Sequence, residues 1–332
     1  MEQKVLRVGT FAITCALALR LLSAAVLDKT FRVALPPEIA SCMVFLQTGR
    51  FIRPSNIIFS VQPMQPPPTD ATEPSEPAEI SLPVFSPEDA AALKITSSFP
   101  YSADLPALLT KPLTWDLTEA SPTVLIVHTH ATESFSNTAE YEETTAYHTL
   151  DTQYNMVSVG TYVASLLEDN GVSVIHDTTL HDNPSYNASY TNSRRSVQQY
   201  LQEYPSIQLV LDLHRDTYED EHGNQLVHTV FAQDTTYAPL MLVVGTDYSG
   251  LEHPSWQENL SLALKLQTQL ETLCPGICRN INLRSQRFNQ DLSPGSMLIE
   301  VGASGNTQEE ALRTAELLAQ GILSLAHGSS AS

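Results

Sequence analysis

The sequence predicts an α/β fold, a single three-layer domain with a largely parallel sheet, preceded by a transmembrane helix and a disordered spacer. Two observations come from the N-terminal part, where an apolar run is followed by a segment rich in proline and acidic residues. The third is that short β-rich runs alternate with helical periods after residue 120. The predicted parts are an N-terminal membrane anchor at 1–29, a juxtamembrane segment at 30–60, a Pro-rich acidic linker at 61–120 and the folded domain at 121–332.

The membrane anchor is predicted from residues 8–27, an apolar run of 20 residues in which Arg20 is the only charged side chain. A helix of about 20 residues crosses the ~30 Å hydrocarbon core of a bilayer, and an arginine near its end can reach the headgroups. The small residues at 23–25 also fit a cleaved signal peptide, but the length of the run favours an uncleaved anchor. Both interpretations export the rest of the chain. The anchor predicts a single-pass membrane protein whose folded domain is extracytoplasmic.

The spacer is predicted from residues 62–90, which contain eight prolines, six acidic residues and no basic residue. Such a segment cannot bury a core, and its like charges and polyproline bias keep it extended. A spacer of this kind would let a folded domain act at a distance from the membrane.

Composition excludes several classes of function. The 37 acidic and 17 basic side chains give a formal charge of −20, which disfavours nucleic-acid binding because a phosphate backbone requires a basic surface. Cys274 and Cys278 could form a small disulfide or remain ordinary thiols, and no second cysteine pair accompanies them to complete a structural zinc site. The sequence contains neither a Gly-rich phosphate loop nor a Gly-x-Ser-x-Gly elbow, which argues against nucleotide hydrolysis and serine-hydrolase chemistry.

The folded domain is predicted to alternate strands and helices. Strands are expected at 124–127, 172–175, 207–213, 227–231, 241–244 and 297–301, and helices at 155–170, 192–204, 256–273 and 308–326. Thr307 and Glu310 have the spacing of a capping box at the start of the last helix. In sheets of this kind, ligands bind beyond the carboxyl ends of the strands.

Polar side chains follow three of these strands, at the edge where a site is expected. His130 and Glu133 form a His-x-x-Glu motif after the first strand, and His214 comes 81 residues later at another strand end. Two imidazoles and one carboxylate are a common catalytic zinc set that leaves a position for water. Glu300, at the end of the last strand, could exchange a proton with that water and with the leaving amine of an amide.

Several alternatives stay open at this point. Only one of His128 and His130 is expected to bind the metal, and Asp151 is a reserve carboxylate ligand in place of Glu133. Next to His214, Asp216 could orient the imidazole and Arg215 could bind a carboxylate of the substrate. Asp177, His181 and Asp182 are close in the chain to a strand end and could line the cleft.

Seven stretches of the folded domain resemble, in order, the stage II sporulation protein P family, which is related to zinc-dependent N-acetylmuramoyl-L-alanine amidases. They are 124–134 (VLIVHTHATES), 155–160 (NMVSVG), 175–179 (IHDTT), 184–190 (PSYNASY), 212–216 (DLHRD), 289–292 (NQDL) and 298–302 (LIEVG). The family's metal and catalytic residues fall on His128 or His130, Glu133, His214 and Glu300. Ala303 is a departure, since the resemblance leads us to expect Gly-Gly after the catalytic glutamate.

The resemblance implies a Zn²⁺-dependent amidase that cleaves peptidoglycan stem peptides during sporulation engulfment, with peptidoglycan endopeptidase activity as an addition. It also implies engulfment membrane proteins and a lytic transglycosylase as partners, and a location at the sporulation septum and the membrane that engulfs the forespore. Two other functions compete with this one, namely a metallocarboxypeptidase-like peptidase and a non-catalytic wall-binding scaffold with the same fold.

Overall fold

The computed structural model describes residues 82–136 and 147–330, together with the two-residue strands β1 (Arg32–Val33) and β2 (Phe59–Ser60). The chain divides into two compact units, 1–78 and 79–332. In the first unit β1 pairs with β2 in antiparallel fashion. The predicted membrane anchor and the linker as far as residue 81 lie outside the described residues. Within the described part, no helix has the length and apolarity needed to cross a bilayer.

The second unit is built on a seven-stranded mixed sheet. Its strands and those of a separate hairpin are β3 (Ile95–Ser97), β4 (Val124–Val127), β5 (Val174–His176), β6 (Leu209–Asp216), β7 (Val230–Ala232), β8 (Thr235–Tyr237), β9 (Leu240–Gly245), β10 (Ile281–Arg284) and β11 (Ser296–Ala303). The sheet order is β3-β10-β9-β11-β6-β4-β5, while β7 pairs only with β8. Every pairing in the sheet is parallel except that of β9 with β11. The predicted α/β class with a mostly parallel sheet is therefore confirmed, with one reversal of direction.

Among the described residues, five α-helices accompany the sheet. They are α1 (Leu105–Thr110), α2 (Met156–Asp169), α3 (Ser189–Glu203), α4 (Trp256–Leu273) and α5 (Gln308–Ser324). Helices α1, α2 and α5 begin with a side-chain cap. The side chain of Asn155 accepts a hydrogen bond from the backbone N–H of Val157 and so caps α2. Thr307 and Glu310 form the predicted capping box at the start of α5.

The helices cover the two faces of the sheet unequally. On one face α2, α4 and α5 pack against β4, β6, β9, β10 and β11 and form the main core. On the other face α3 covers β4 and β6, where Val197 packs with Leu125 and Val210. The half of that face on β9 and β11 carries a separate cluster, here named the apolar strip: Met241, Val243 and Leu298. This half stands beside α3 and is the part of the sheet where the candidate site is found.

Residues 82–120 belong to the folded unit, which corrects the predicted linker boundary at 120. Strand β3 adds to the edge of the sheet beside β10. Phe85, Leu109 and Leu117 are at most 1% exposed and lie in the main core. The predicted linker is too long because the proline-rich, acidic composition of residues 62–90 was extended to residue 120, although residues 91–120 contain three prolines and many apolar residues.

The first and last described segments of the second unit lie side by side. Val84 forms a bridge with Ser330, and Leu113 forms one with Ser329. Leu113 also lines a cleft together with Gln208 and Gly295, the residues that directly precede β6 and β11. The chain therefore enters and leaves the unit near the amino-terminal edge of these two strands.

Other elements differ from prediction in smaller ways. Strand β10 was not predicted, and the strand expected at 227–231 is the outlying strand β7 at Val230–Ala232. Helix α3 begins at Ser189 rather than at 192. Cys274 and Cys278 are both free thiols, so the structure answers the disulfide alternative in favour of ordinary thiols.

A fragment that starts at Glu79 should unfold cooperatively at a clearly higher temperature than one that starts at Ser121, because the shorter fragment lacks β3 and exposes core side chains. Within the longer fragment, Phe85→Ala should cost roughly 3–5 kcal/mol of unfolding free energy. The measurement is denaturant unfolding followed by circular dichroism. Val84→Ala is the matched control, since this neighbour is 60% exposed and its loss should stay within about 0.5 kcal/mol. Equal stability of the two fragments would contradict the revised boundary.

Candidate active site

An open cleft of about 270 Å³ lies over the apolar strip and reaches the carboxyl ends of β6 and β11. His130, Glu133, His214 and Glu300 line one end of it. Tyr186 adds an aromatic wall above these polar residues. The cleft thus has an apolar floor and a concentrated group of donors and acceptors at one end.

His130, Glu133 and His214 form a group of donor atoms that lie within 4.8 Å of one another. The Nδ1 atom of His130 is 3.4 Å from Oε1 of Glu133, and the Nδ1 atom of His214 is 3.5 Å from Oε2 of the same carboxylate. These are the three residues singled out in the sequence, and the structure brings them together. Two imidazole nitrogens and a carboxylate oxygen are donors that zinc accepts in catalytic sites.

The donor group depends on how the chain turns after β4. The turn is held from below by Asp212, which accepts hydrogen bonds from the backbone N–H and the hydroxyl of Thr129 at 2.8 and 2.6 Å. It is held from the side by Asp182, which accepts a bond from the hydroxyl of Thr132 at 2.6 Å. Both carboxylates are buried, and the hydrogen bonds from the turn give them the partners that burial requires. This arrangement directs His130 and Glu133 toward the cleft.

Asp212 also lies behind His214, with its Oδ1 atom 2.9 Å from the Nε2 atom of the ring. Burial by itself lowers the pKa of His214, but the charges of Asp212 and Glu133 outweigh burial and raise that pKa well above 6.5. Because Asp212 faces Nε2, a ring that lost one proton on metal binding would keep the proton at Nε2 and present Nδ1 to the metal, as is usual for metal-binding histidines.

Glu133 is an anion at neutral pH. Burial raises the pKa of its carboxyl group, but hydrogen bonds from His130 and His214 and the charge of Arg215 outweigh burial, so the pKa lies well below 4.5. The backbone N–H of Arg215 also donates to Oε2 of Glu133 at 3.2 Å. The donor group therefore presents one negative charge that a bound cation would neutralise.

His128 does not belong to the donor group. Its Nε2 atom is 2.9 Å from Nε2 of His176, and its Nδ1 atom is 3.1 Å from the carbonyl oxygen of Leu213. Burial and His176 lower its pKa to about 3. A Cβ atom on Gly160 would lie 2.3 Å from Nε2 of His128, so this position of α2 must be glycine for the helix to pass the ring. Both nitrogens of His128 are thus engaged away from the cleft, and of the two histidines His130 is the candidate ligand.

The strand pattern alone could not separate these histidines, because residues two apart lie on the same face of a continuous strand. Strand β4 ends at Val127, and the following turn rotates His130 away from His128. The reserve ligand Asp151 is exposed and accepts a hydrogen bond from the backbone N–H of Gln153. Glu133 is therefore the carboxylate of the group.

Arg215 is turned inward rather than toward a substrate. Its Nε and Nη2 atoms donate to the carbonyl oxygens of Ser134 and Tyr147 at 2.9 and 2.7 Å, and its Nη1 atom donates to the hydroxyl of Thr217 at 3.0 Å. Nη1 is also 3.7 Å from Oε1 of Glu133. The predicted contact of Arg215 with a substrate carboxylate is thus replaced by contacts within the protein. They hold the backbone at Ser134 and Tyr147 close to Glu133.

Asp216 does not orient His214, and the prediction that it would is wrong. It forms a 2.8 Å ion pair with Arg279, and Asp212 occupies the position behind the imidazole. The prediction failed because residues 212, 214 and 216 lie on the same face of β6, so the two aspartates have equal spacing from His214. The position that β4 gives to Thr129 decides between them. The loop carboxylate Asp177 likewise bonds His181 at 3.1 Å, and neither lines the cleft.

Glu300 lies beside His214, because β11 and β6 pair these two residues in register. Its Oε2 atom is buried without a hydrogen-bond partner among the described residues. Burial raises the pKa of this carboxyl group to about 8, despite the opposing effect of His214. Gly302, with a φ of 76°, sits in the irregularity that interrupts pairing directly after Glu300. An unpaired carboxyl group beside the donor group is available for proton exchange.

Two tyrosines contact His130, and the sequence did not identify them as site residues. The ring of Tyr186 stacks on the imidazole with centroids 4.3 Å apart, and its hydroxyl is 3.3 Å from Nδ1. Tyr190 meets the same imidazole edge-on at 5.5 Å. Tyr186 lies in the 3₁₀ turn directly before α3 and Tyr190 in the first turn of α3. Their spacing of four residues was the available signal, but aromatic residues at helical spacing more often pack into a core.

Comparison with known proteins follows from these observations. The sequence model of the stage II sporulation protein P family matches residues 66–323. The chain belongs to this family. Stage II sporulation protein P of Bacillus subtilis (strain 168) is 27% identical in an alignment of 209 positions, which covers 59% of this chain and 49% of the relative. The chain thus spans about half the length of this relative.

Two solved structures match this chain at low sequence identity and low TM-score. N-acetylmuramoyl-L-alanine amidase AmiC2 of Nostoc punctiforme is 13% identical with a TM-score of 0.36, over 60% of this chain and 95% of that chain. The N-acetylmuramoyl-L-alanine amidase from Clostridium difficile 630 is 15% identical with a TM-score of 0.35, over 62% of this chain and 97% of that chain.

His130→Ala should abolish stoichiometric binding of zinc, whereas His128→Ala should retain it in the protein that remains folded. A three-ligand site loses most of its affinity with one ligand, while His128 directs both nitrogens elsewhere. The measurement is metal per folded chain after gel filtration and dialysis against a weak chelator. Retention of zinc by His130→Ala together with its loss from His128→Ala would reverse the assignment.

Asp212→Asn should weaken zinc binding by roughly 10- to 100-fold, because an amide holds the ring of His214 less firmly than a carboxylate. Asp216→Asn is the matched control, since that carboxylate pairs with Arg279 and should leave metal affinity unchanged. Competition against a chromogenic chelator measures both constants. Equal effects of the two substitutions would contradict the role given to Asp212.

Proposed function

We propose that this chain is a zinc-dependent peptidoglycan hydrolase, an N-acetylmuramoyl-L-alanine amidase that cleaves the amide bond at the start of the stem peptide. The observation that carries the proposal is the donor group His130, Glu133 and His214, placed in one cleft with the unpaired carboxyl group of Glu300. Family membership supports a role in sporulation, and peptidoglycan is the substrate that suits such an amidase.

The donor group fits zinc better than a hard cation. Magnesium and calcium prefer oxygen ligands, whereas two of the three donors here are imidazole nitrogens. His214 has the carboxylate of Asp212 behind it, as metal-binding histidines usually do. When bound, zinc would polarise the carbonyl group of the substrate and lower the pKa of water toward ~7.

The chain's own residues supply the remaining chemistry. Glu300 takes a proton from the attacking water and passes it to the leaving nitrogen, which must be protonated before an amide bond can break. Its raised pKa, close to neutral, suits a group that must both accept and donate within one cycle. Asp212 keeps His214 in one tautomer, and Arg215 holds Glu133 in place throughout.

The setting of the reaction is part of the proposal. The apolar run at 8–27 and the spacer support an anchored domain that acts outside the cytoplasm, where peptidoglycan lies. The engulfment membrane proteins, the lytic transglycosylase and the added endopeptidase activity stay predictions of the family resemblance.

Glu300→Gln should retain zinc and wall binding while the rate of muropeptide cleavage falls by roughly 10²- to 10⁴-fold, because the amide keeps the size of the side chain but cannot exchange the proton. Zinc content, sedimentation with purified walls and release of fragments identified by mass are measured on one preparation.

Glu168→Gln is the control for this experiment, since Glu168 is exposed near the end of α2 and does not line the cleft. Activity within a few-fold of the parent would show that Glu300 is structural. Loss of zinc together with activity would place Glu300 in the metal shell instead. Cleavage of free peptides in preference to muropeptides would favour a metallocarboxypeptidase-like enzyme.

A further inference from the structure

The cleft extends well beyond the donor group, along the exposed half of the sheet face. Its floor continues from Glu300 over the apolar strip to Asn282 and Arg284 of β10, and all of these residues line the same cavity. Ile281 and Leu283 point into the main core, so the alternation along β10 turns Asn282 and Arg284 toward the cleft. The cleft thus has a polar end at the donor group and a second polar end on β10.

The strand registers give the length of this channel. Glu300 is opposite Met241 on β9, and Arg284 is opposite Gly245 on the same strand. Four residues of strand separate Met241 from Gly245, which corresponds to about 13 Å. An extended peptide covers that distance with about three or four residues.

Among the described residues, Arg284 is the arginine of the cleft whose guanidinium group has no ion-pair partner. The other two arginine side chains near the donor group are engaged, Arg215 by backbone carbonyl oxygens and Arg279 by Asp216. Arg284 is exposed and forms no ion pair within the described residues. Asn282 beside it makes only a 3.9 Å contact with the sulfur of Met241, a weak acceptor.

We propose that Arg284, assisted by Asn282, binds a free carboxylate of the substrate three or four residues from the scissile amide. The guanidinium group offers paired donors that match a carboxylate, and the amide of Asn282 adds a neutral donor. The apolar strip between the two polar ends accommodates small aliphatic side chains and the peptide backbone. This inference rests on the proposed function, because stem peptides of peptidoglycan carry free carboxylates along a short chain.

The test compares two synthetic muropeptides that differ only in whether the stem-peptide carboxylates are free or converted to carboxamides. The full parent chain should cleave the free-carboxylate compound with a kcat/KM roughly tenfold or more higher, mainly through KM. Arg284→Gln should remove this preference, because its kcat/KM for the free-carboxylate compound should fall to its own value for the carboxamide compound. Arg284→Lys should restore part of the preference, because lysine keeps the charge but lacks the paired donors.

Arg195→Gln is the matched control, since Arg195 is an exposed arginine of α3 that does not line the cleft. It removes the same charge and should leave the preference intact. Equal loss of preference in Arg195→Gln would indicate a general charge effect and overturn the inference. An unchanged preference in Arg284→Gln, or none in the parent chain, would overturn it as well.

Equilibrium binding separates this inference from the proposed function. Calorimetric titration of both compounds into Glu300→Gln, with and without Arg284→Gln, measures carboxylate recognition without turnover. Selective binding that disappears with Arg284 supports the inference, and binding that ignores the carboxylates contradicts it. Failure of the parent chain to cleave either compound would count against the proposed function, while the titration would still decide on Arg284.

Discussion

The carboxylate of Asp212 is the contact on which the rest of the site depends. It receives two hydrogen bonds from Thr129 and stands 2.9 Å from the imidazole of His214. A buried carboxylate is costly unless it is fully engaged, and here a single group joins the turn after β4 to the end of β6. His130 and Glu133 come from that turn, so the same anion positions ligands from two strands. The geometry of the donor group is therefore set by the sheet itself and not by a free loop.

The reversal of direction between β9 and β11 shapes the cleft. In a wholly parallel sheet the carboxyl ends of all strands would meet at one edge, and a crossover helix would cover each junction. Here the carboxyl end of β11 lies beside the amino end of β9. Strand β9 therefore runs back from Glu300 along the face of the sheet, and its residues extend the site from the edge into a channel. The apolar strip is the floor of that channel.

Much of the fold was predictable because its signals are local. The α/β class, the capping box of α5 and the positions of β4, β6, β9 and β11 follow from periodicity and from polar residues at strand ends. The boundary at residue 82 was not predictable, since Phe85 continues the proline-rich stretch and Leu109 belongs to a helix of six residues, too short to give a periodic pattern. Their burial depends on partners more than a hundred residues away.

The site divides in the same way. His130, Glu133, His214 and Glu300 could be found because metal ligands and strand ends coincide in the sequence. The choice between His128 and His130 could not be made from the sequence. It depends on the turn after Val127 and on His176, whose ring contacts the Nε2 atom of His128. Asp212 was overlooked for a related reason, because its role exists only after two strands are paired.

The adjacency of the first and last described segments of the folded unit has a practical consequence. Val84 bridges to Ser330, and the nearby Leu113 lies beside the residues that precede β6 and β11. The candidate site is at the opposite ends of those strands. A fluorescent label, an affinity tag or a surface linkage joined ahead of residue 82 or after residue 330 would therefore be attached near the amino ends of β6 and β11, away from the donor group. An immobilised unit of this kind would leave the donor-group end of the cleft open to a layer of wall material laid over it.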